Sequence, residues 1–172
     1  MKTRLLLLLI LAPLFLLSGC KPVFTFNGSI LNYDIYKTIY VAEFPIRAAL
    51  VYPPLQQTFE NEILNYVTRQ TKLQIVDNPN NADISISGEI TGYSLSPQAV
   101  GSDAYATETR LTITVRVKYT DNKNPTNSID QSFSAYRQFS SSLMLTDVQD
   151  ELCQQISEEL ATLIFNATLG NW

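Results

Sequence analysis

Cys20 is the residue with the clearest chemistry. It follows Leu17-Ser18-Gly19, which closes an apolar run from Leu5 to Leu17, and the basic residues Lys2 and Arg4 come first. A basic start, an apolar stretch and a small-residue junction are the three parts of a secretory signal. The run of 13 residues falls short of the about 20 needed to span a bilayer. Ser18 and Gly19 are small enough to pass a protease buried in the membrane, which places the expected cut between Gly19 and Cys20. The Cys20 thiol can then carry a diacylglycerol, and its freed amine a further acyl chain. Each buried methylene adds about 0.8 kcal/mol, and stable anchoring takes at least two lipid signals. A triacylated Cys20 meets that need.

The stretch resembles a bacterial lipoprotein signal, or lipobox; the competing reading is an ordinary signal peptide with a chance cysteine. Lys21-Pro22 carries neither the aspartate that keeps many lipoproteins at the inner membrane nor the Lys-acidic run that some bacteria use for surface export. The expected location is therefore the outer membrane, on its periplasm-facing leaflet. Residues 1–19 are the signal peptide, 20–36 a lipidated tether, and 37–172 a single domain.

Without residues 1–19 the chain has 153 residues, enough for one domain with its own core. It then holds 10 basic against 16 acidic residues, a net charge of −6. That balance argues against nucleic acid, which calls for a basic footprint, and against general adhesion to anionic membranes. Histidine is absent, and Cys153 is the one cysteine left after Cys20 takes lipid. No internal disulfide, Ser-His-Asp triad, Cys-His dyad or histidine metal site can be built from such a chain. No pair of carboxylates stands where its pKa values would be driven apart. A non-catalytic protein is expected, with no metal and no cofactor beyond covalent lipid on Cys20.

Hydrophobic periodicity sets the elements. Lys37 to Phe44 reads as a largely buried strand, with Ile39, Val41 and Glu43 on one face. Arg47 to Tyr52 is a loop, and Pro53-Pro54 opens a helix, since proline suits the first turn. Leu55, Phe59, Ile63, Tyr66 and Val67 follow at helical spacing, and the helix fades by Thr71. Leu73 to Val76 is a short strand, and Asp77 to Asn81 a turn. Ile84, Ile86, Gly88 and Ile90 alternate with polar residues, and Gly92 marks a bulge because the apolar phase shifts to Tyr93 and Leu95. Ser96 to Thr107 reads as a polar hairpin loop. Leu111, Ile113, Val115, Val117 and Tyr119 point one way on the next strand, Arg110, Thr112, Thr114, Arg116 and Lys118 the other. A turn around Pro125 precedes a strand over Ile129 to Phe139. Thr146 with Gln149 has capping-box spacing, and Val148, Leu152, Ile156, Leu160, Leu163 and Ala167 form the stripe of a helix stopped by Gly170.

The order β-α-β-β-β-β-α predicts an α+β fold. It is a two-layer sandwich in which a mixed four- to five-stranded sheet carries both helices on one face. The first strand–helix–strand should cross over right-handed, and the polar side of the meander should stay open.

Several motifs then combine. They are the lipobox, the run Pro53-Pro54-Leu55-Gln56-Gln57-Thr58-Phe59, Ala82-Asp83, Gly88-Glu89-Ile90-Thr91-Gly92-Tyr93, Arg110-Leu111-Thr112-Ile113-Thr114-Val115 and the ending Asn171-Trp172. Over residues 20–172 the chain resembles the LptE family, in a divergent branch. The resemblance implies an outer-membrane lipoprotein that plugs an LptD-type β-barrel, helps it assemble and helps lipopolysaccharide reach the outer leaflet. The family's proposed lipopolysaccharide contacts include basic residues in loops at one end of the sheet. Ser96 to Thr107 and Ser140 to Thr146 contain no Lys or Arg, so that role does not transfer to either segment. Polar and aromatic groups there, such as Tyr105, remain candidates for barrel contact.

Arg110, Arg116 and Lys118 share one flat face of an acidic protein, and lipid A phosphates suit such a face, because charge-assisted hydrogen bonds to phosphate are strong. The same charges equally suit a solvated strand face that deters edge pairing. Cys153 is read as a small apolar filler rather than a reactive thiol. Trp172 is read either as an interface anchor or as a cover for the helix end, and Tyr33, Tyr36, Tyr40 and Tyr52 either as barrel contacts or as padding at the sheet edge. The glycosylation-type triplets at Asn27 and Asn166 are noise in a bacterial chain. A competing function has the same element order: a periplasmic lipoprotein that regulates a peptidoglycan synthase or forms part of a secretion pore.

Overall fold

The computed structural model describes residues 31–99 and 106–170. Cys20, Gly19, Tyr105 and Trp172 lie outside the described residues. The elements are β1 (Thr38–Val41), α1 (Pro54–Gln70), β2 (Gln74–Ile75), β3 (Ile84–Ala99), β4 (Ala106–Asp121), β5 (Ile129–Ser140) and α2 (Leu145–Thr168). They form one five-stranded sheet in the order β2-β1-β3-β4-β5. β1 pairs parallel with both β2 and β3, and β3-β4-β5 is an antiparallel meander. This is the α+β order the periodicity predicts.

Alternation on the strands builds the core. Ile84, Ile86 and Ile90 of β3, Leu111, Ile113, Val115 and Val117 of β4, and Phe133 and Ala135 of β5 are buried on one face. Leu55, Phe59, Ile63 and Val67 of α1 and Leu152, Ile156, Leu160 and Ile164 of α2 join the same cluster. Both helices therefore cover that face, and α2 packs on α1, β5 and β4. Fully burying each such side chain is worth about 1.5–3 kcal/mol relative to water, so the face could not stay bare. Gly88 sits in this layer where Phe44 lies over the sheet: a Cβ there would stand 2.1 Å from the Arg116 carbonyl oxygen and 2.7 Å from Phe44 Cε1.

Where the structure departs from the sequence reading, a specific pairing explains it. The hairpin is longer than expected, because Ser96, Pro97 and Gln98 pair with Arg110, Thr109 and Glu108, so the ladder runs on without an apolar face. The bulge lies where expected, with the register shift between Ile90 and Gly92. β1 stops at Val41, and Glu43 is exposed rather than inward. The chain still follows β3, through Ala42 N–H on Ile86 O at 2.8 Å and Arg47 N–H on Ile90 O at 2.8 Å. The capping box does not form. The cap lies two residues earlier, at Met144, and α2 starts behind it with no side-chain cap, while Gln149 donates instead to the Tyr93 hydroxyl at 2.6 Å. The α2 stripe drifts as well: Leu163 is 38% exposed while Ile164 and Ala161 are buried, as 3.6 residues per turn requires of a straight helix. Leu31, Tyr33 and Tyr36 already pack against the core.

Candidate functional site

Because both helices lie on one side, the other side of the meander is open among the described residues. The even-numbered residues of β4 face it, and their neighbours follow from the register. Arg116 lies between Glu89 and Ser132, Lys118 between Ser87 and Asp130, and Arg110 between Ser96 and Gln138. The three predicted cations do share one face. Thr114 and Ser134 join hydroxyls across it at 2.8 Å.

The charges are not equivalent. Arg116 donates through Nε and Nη2 to both carboxylate oxygens of Asp130, each at 2.9 Å. That bidentate bond raises the Arg116 pKa and lowers that of Asp130. Both partners are well exposed, so the pair adds little stability; its effect is to cancel charge. A shallow depression of about 310 Å³ here is lined by Ser87, Gly88, Glu89, Arg116, Lys118 and Asp130. Arg110 differs. Its guanidinium lies over the Tyr136 ring, Cζ 4.2 Å from the centroid, and its Nε is buried with no hydrogen-bond partner.

A second set of polar residues ties the opposite end of the sheet. The Asp83 carboxylate accepts from Lys37 N–H at 2.8 Å and Thr38 N–H at 3.1 Å, and meets Lys123 Nζ at 3.0 Å. Burial alone would raise its pKa, but these donors together hold it down at about 2. Asp121 is buried and accepts from Tyr36 Oη, Lys123 N–H, Asn124 N–H and Asn127 Nδ2, which likewise outweigh burial and lower its pKa. It borders a cavity of about 550 Å³ with Tyr36, Tyr119, Ile129 and Leu169, but with four donors around it this carboxylate offers the cavity no free ligand group. The two aspartates fasten strand starts and a turn.

The sign of their pH effect follows from the lowered values. Ionised Asp83 stabilises the fold fully above its ordinary value of 3.8, and this is lost as pH falls toward about 2. The difference amounts to about 2 kcal/mol. Asp83→Asn should lower stability by that order at pH 7 and by little at pH 2, as urea melts at the two pH values would show.

The remaining singled-out residues resolve simply. Cys153 is buried, and burial first of all pushes its thiol up to about 11, the setting of a packed side chain and not of an activated thiolate. Tyr36 donates to Asp121, Tyr52 to Asp150, and Tyr33 lies 5.8 Å under Lys72 Nζ, so each of the three has a partner within the domain. Sequence reasoning missed Asp121, Asp130 and Tyr136 and gave Asp83 and Glu89 no role beyond their motifs, because each acquires its role from a cross-strand or long-range neighbour. No helix among the described residues is long and apolar enough to cross a membrane.

A family model described as "LptE: Lipopolysaccharide-assembly" matches residues 36–168. No curated protein matches the chain. Among solved structures, a hypothetical protein from Chlamydia trachomatis is similar with a TM-score of 0.54 and 12% identity, over 79% of this chain and 99% of that one. An uncharacterized lipoprotein B from Nitrosomonas europaea gives a TM-score of 0.50 and 12% identity, over 75% and 79%. A minor lipoprotein from Acinetobacter baumannii gives 0.48 and 17%, over 76% and 90%. At these identities the first two speak for the fold.

Proposed function

The chain belongs to the LptE lipopolysaccharide-assembly family, and from that membership we propose that it is a lipoprotein, anchored through Cys20 to the periplasm-facing leaflet of the outer membrane. There it plugs an LptD-type β-barrel, supports its assembly and so serves lipopolysaccharide insertion. It acts without catalysis. The observation that carries this reading is that the family match spans nearly the whole two-layer domain, from β1 to the last residue of α2. The lipobox supports the anchor, and the helix-free face of the meander supports a surface for lipopolysaccharide, with Arg110, Arg116 and Lys118 as its cations.

The test is to purify the full-length, lipid-bearing protein from its own membranes and identify what accompanies it. An LptD-type barrel in near-equal amount is expected, and depletion of the protein should leave that barrel misassembled. Recovery of a peptidoglycan synthase, or of a ring of this chain alone, would replace the proposal with the competing one.

A further inference from the structure

β5 is the long open edge of the sheet. β2, at the other side, is two residues long. β3 beyond Ile90, where β1 no longer reaches, is interrupted by Pro97, which has no N–H to offer. β5 runs for 12 residues without proline, glycine or lysine. Such an edge is a template for another strand, and proteins blunt it. Ser141 N–H bonds to Thr107 O at 3.0 Å, and antiparallel partners alternate between bonded and unbonded pairs. The odd-numbered residues of β5 therefore bond to β4. The even-numbered ones, from Asp130 to Ser140, turn their N–H and C=O outward.

Among the described residues, two of these outward carbonyls are already taken. Leu143 N–H bonds to Ser140 O at 3.0 Å, in the turn that leaves the strand. Tyr136 O accepts from Nη1 of Arg137 at 2.8 Å. The same guanidinium is held to α2. Its Nε bonds to Gln155 Oε1 and its Nη2 to Gln155 O, each at 3.3 Å, and Nη1 also meets the Glu159 carboxylate. The Arg137 and Glu159 side chains are 34% and 42% exposed, so the ion pair itself adds little stability. Its consequence lies in where it stands. A strand joining a sheet runs about 4.8 Å from its neighbour, and a guanidinium bonded to Tyr136 O occupies that space.

We propose that Arg137, held on α2 by Gln155 and Glu159, is the latch that closes the β5 edge against a second copy of this chain. The edge is self-complementary. Two copies of β5 can pair antiparallel about a two-fold axis at Ser134, an isologous contact. Asp130 then lies opposite Gln138 of the other copy, Ser132 opposite Tyr136, and Ser134 opposite itself. Every outward residue from Asp130 to Gln138 finds a partner, and no like charges stand opposite one another. Arg137 takes the Tyr136 carbonyl in both copies and so breaks this ladder at two points. What it leaves uninterrupted is the short stretch from Asp130 to Ser134. The latch acts whatever the protein's other partners are.

Sedimentation of the full-length, lipid-bearing protein in density-matched detergent tests this. The parent should sediment as one copy, and so should Glu159→Gln, which keeps the bond from Arg137 to Tyr136 O. Arg137→Met/Glu159→Gln keeps the apolar stem, removes the guanidinium and leaves no lone carboxylate behind. It should tighten self-association by about tenfold or more, the scale of a few regained hydrogen bonds. Adding Ser132→Pro removes an outward N–H at an edge that tolerates proline, and should return the double variant to one copy. Amide exchange at Ser132 and Tyr136 should slow as the double variant is concentrated, and should not change in the parent. Matching melting temperatures show that each variant is folded. A folded double variant that stays single, or a Glu159→Gln variant that associates equally, overturns the latch. So does association that survives Ser132→Pro, or a parent whose β5 amides already slow on concentration.

Discussion

Gly88→Ala should destabilise the domain by about 3 kcal/mol, at the upper end of ordinary overpacking costs. For a chain of this size that is a fall of roughly 6–12 °C in melting temperature. The new methyl would meet backbone, the Arg116 carbonyl oxygen 2.1 Å away, and the Phe44 ring edge 2.7 Å away. Neither can yield cheaply. Phe44 is itself locked edge-on against Phe59, with centroids 5.1 Å apart, and its N–H is held by the Glu60 carboxylate at 2.7 Å. Gly92→Ala is the natural control, because its nearest neighbours are the Thr114 Cβ and Oγ1 at 3.0 and 3.1 Å, so about 1 kcal/mol is expected there. Differential scanning calorimetry of the two variants should separate them clearly; equal losses would mean that the Phe44 lid moves freely.

The second large effect concerns the anchor. Cys20→Ser should abolish incorporation of labelled fatty acid altogether. In cells depleted of the LptD-type barrel, a chain in which residues 1–20 are replaced by an ordinary cleavable secretory signal should leave the membrane fraction. A single acyl chain gives only marginal binding, near 10⁴ M⁻¹, while two or more give stable anchoring, so the change is close to all-or-none rather than graded. Mass spectrometry of the mature amino terminus checks it. A mature protein beginning elsewhere, or free of lipid, would remove the anchoring step from the proposal.

How much of this was legible in the sequence depends on how local each signal is. The α1 stripe, the β4 alternation and the Gly92 bulge are written in spacings of two to four residues, and the structure reproduces them. The far half of the hairpin was not legible, because Ser96, Pro97 and Gln98 carry no apolar alternation; only their partners on β4 make them a strand. Thr146 and Gln149 had the right spacing for a cap, but Tyr93, far away in the chain, offers Gln149 a better partner. The candidate surface divides the same way. That Arg110, Arg116 and Lys118 share a face follows from a period of two. That Asp130 cancels Arg116 while Tyr136 merely supports Arg110 depends on the β4–β5 register, which a seven-residue turn sets and composition does not reveal.

The placement of α2 carries a consequence for how such a chain reaches its folded state. Leu111, Ile113, Val115 and Val117 are shielded by helices, and α2, which packs directly on β4 and β5, follows every strand of the sheet in the chain. A polypeptide threaded across a membrane from its amino terminus would therefore present a sticky, half-roofed sheet until its closing helix emerged. β1, wedged between two strands that come later in the chain, has likewise nothing to pair with at first. Distant partners of this kind slow folding, which leaves a window in which a chaperone can act on the unfinished domain.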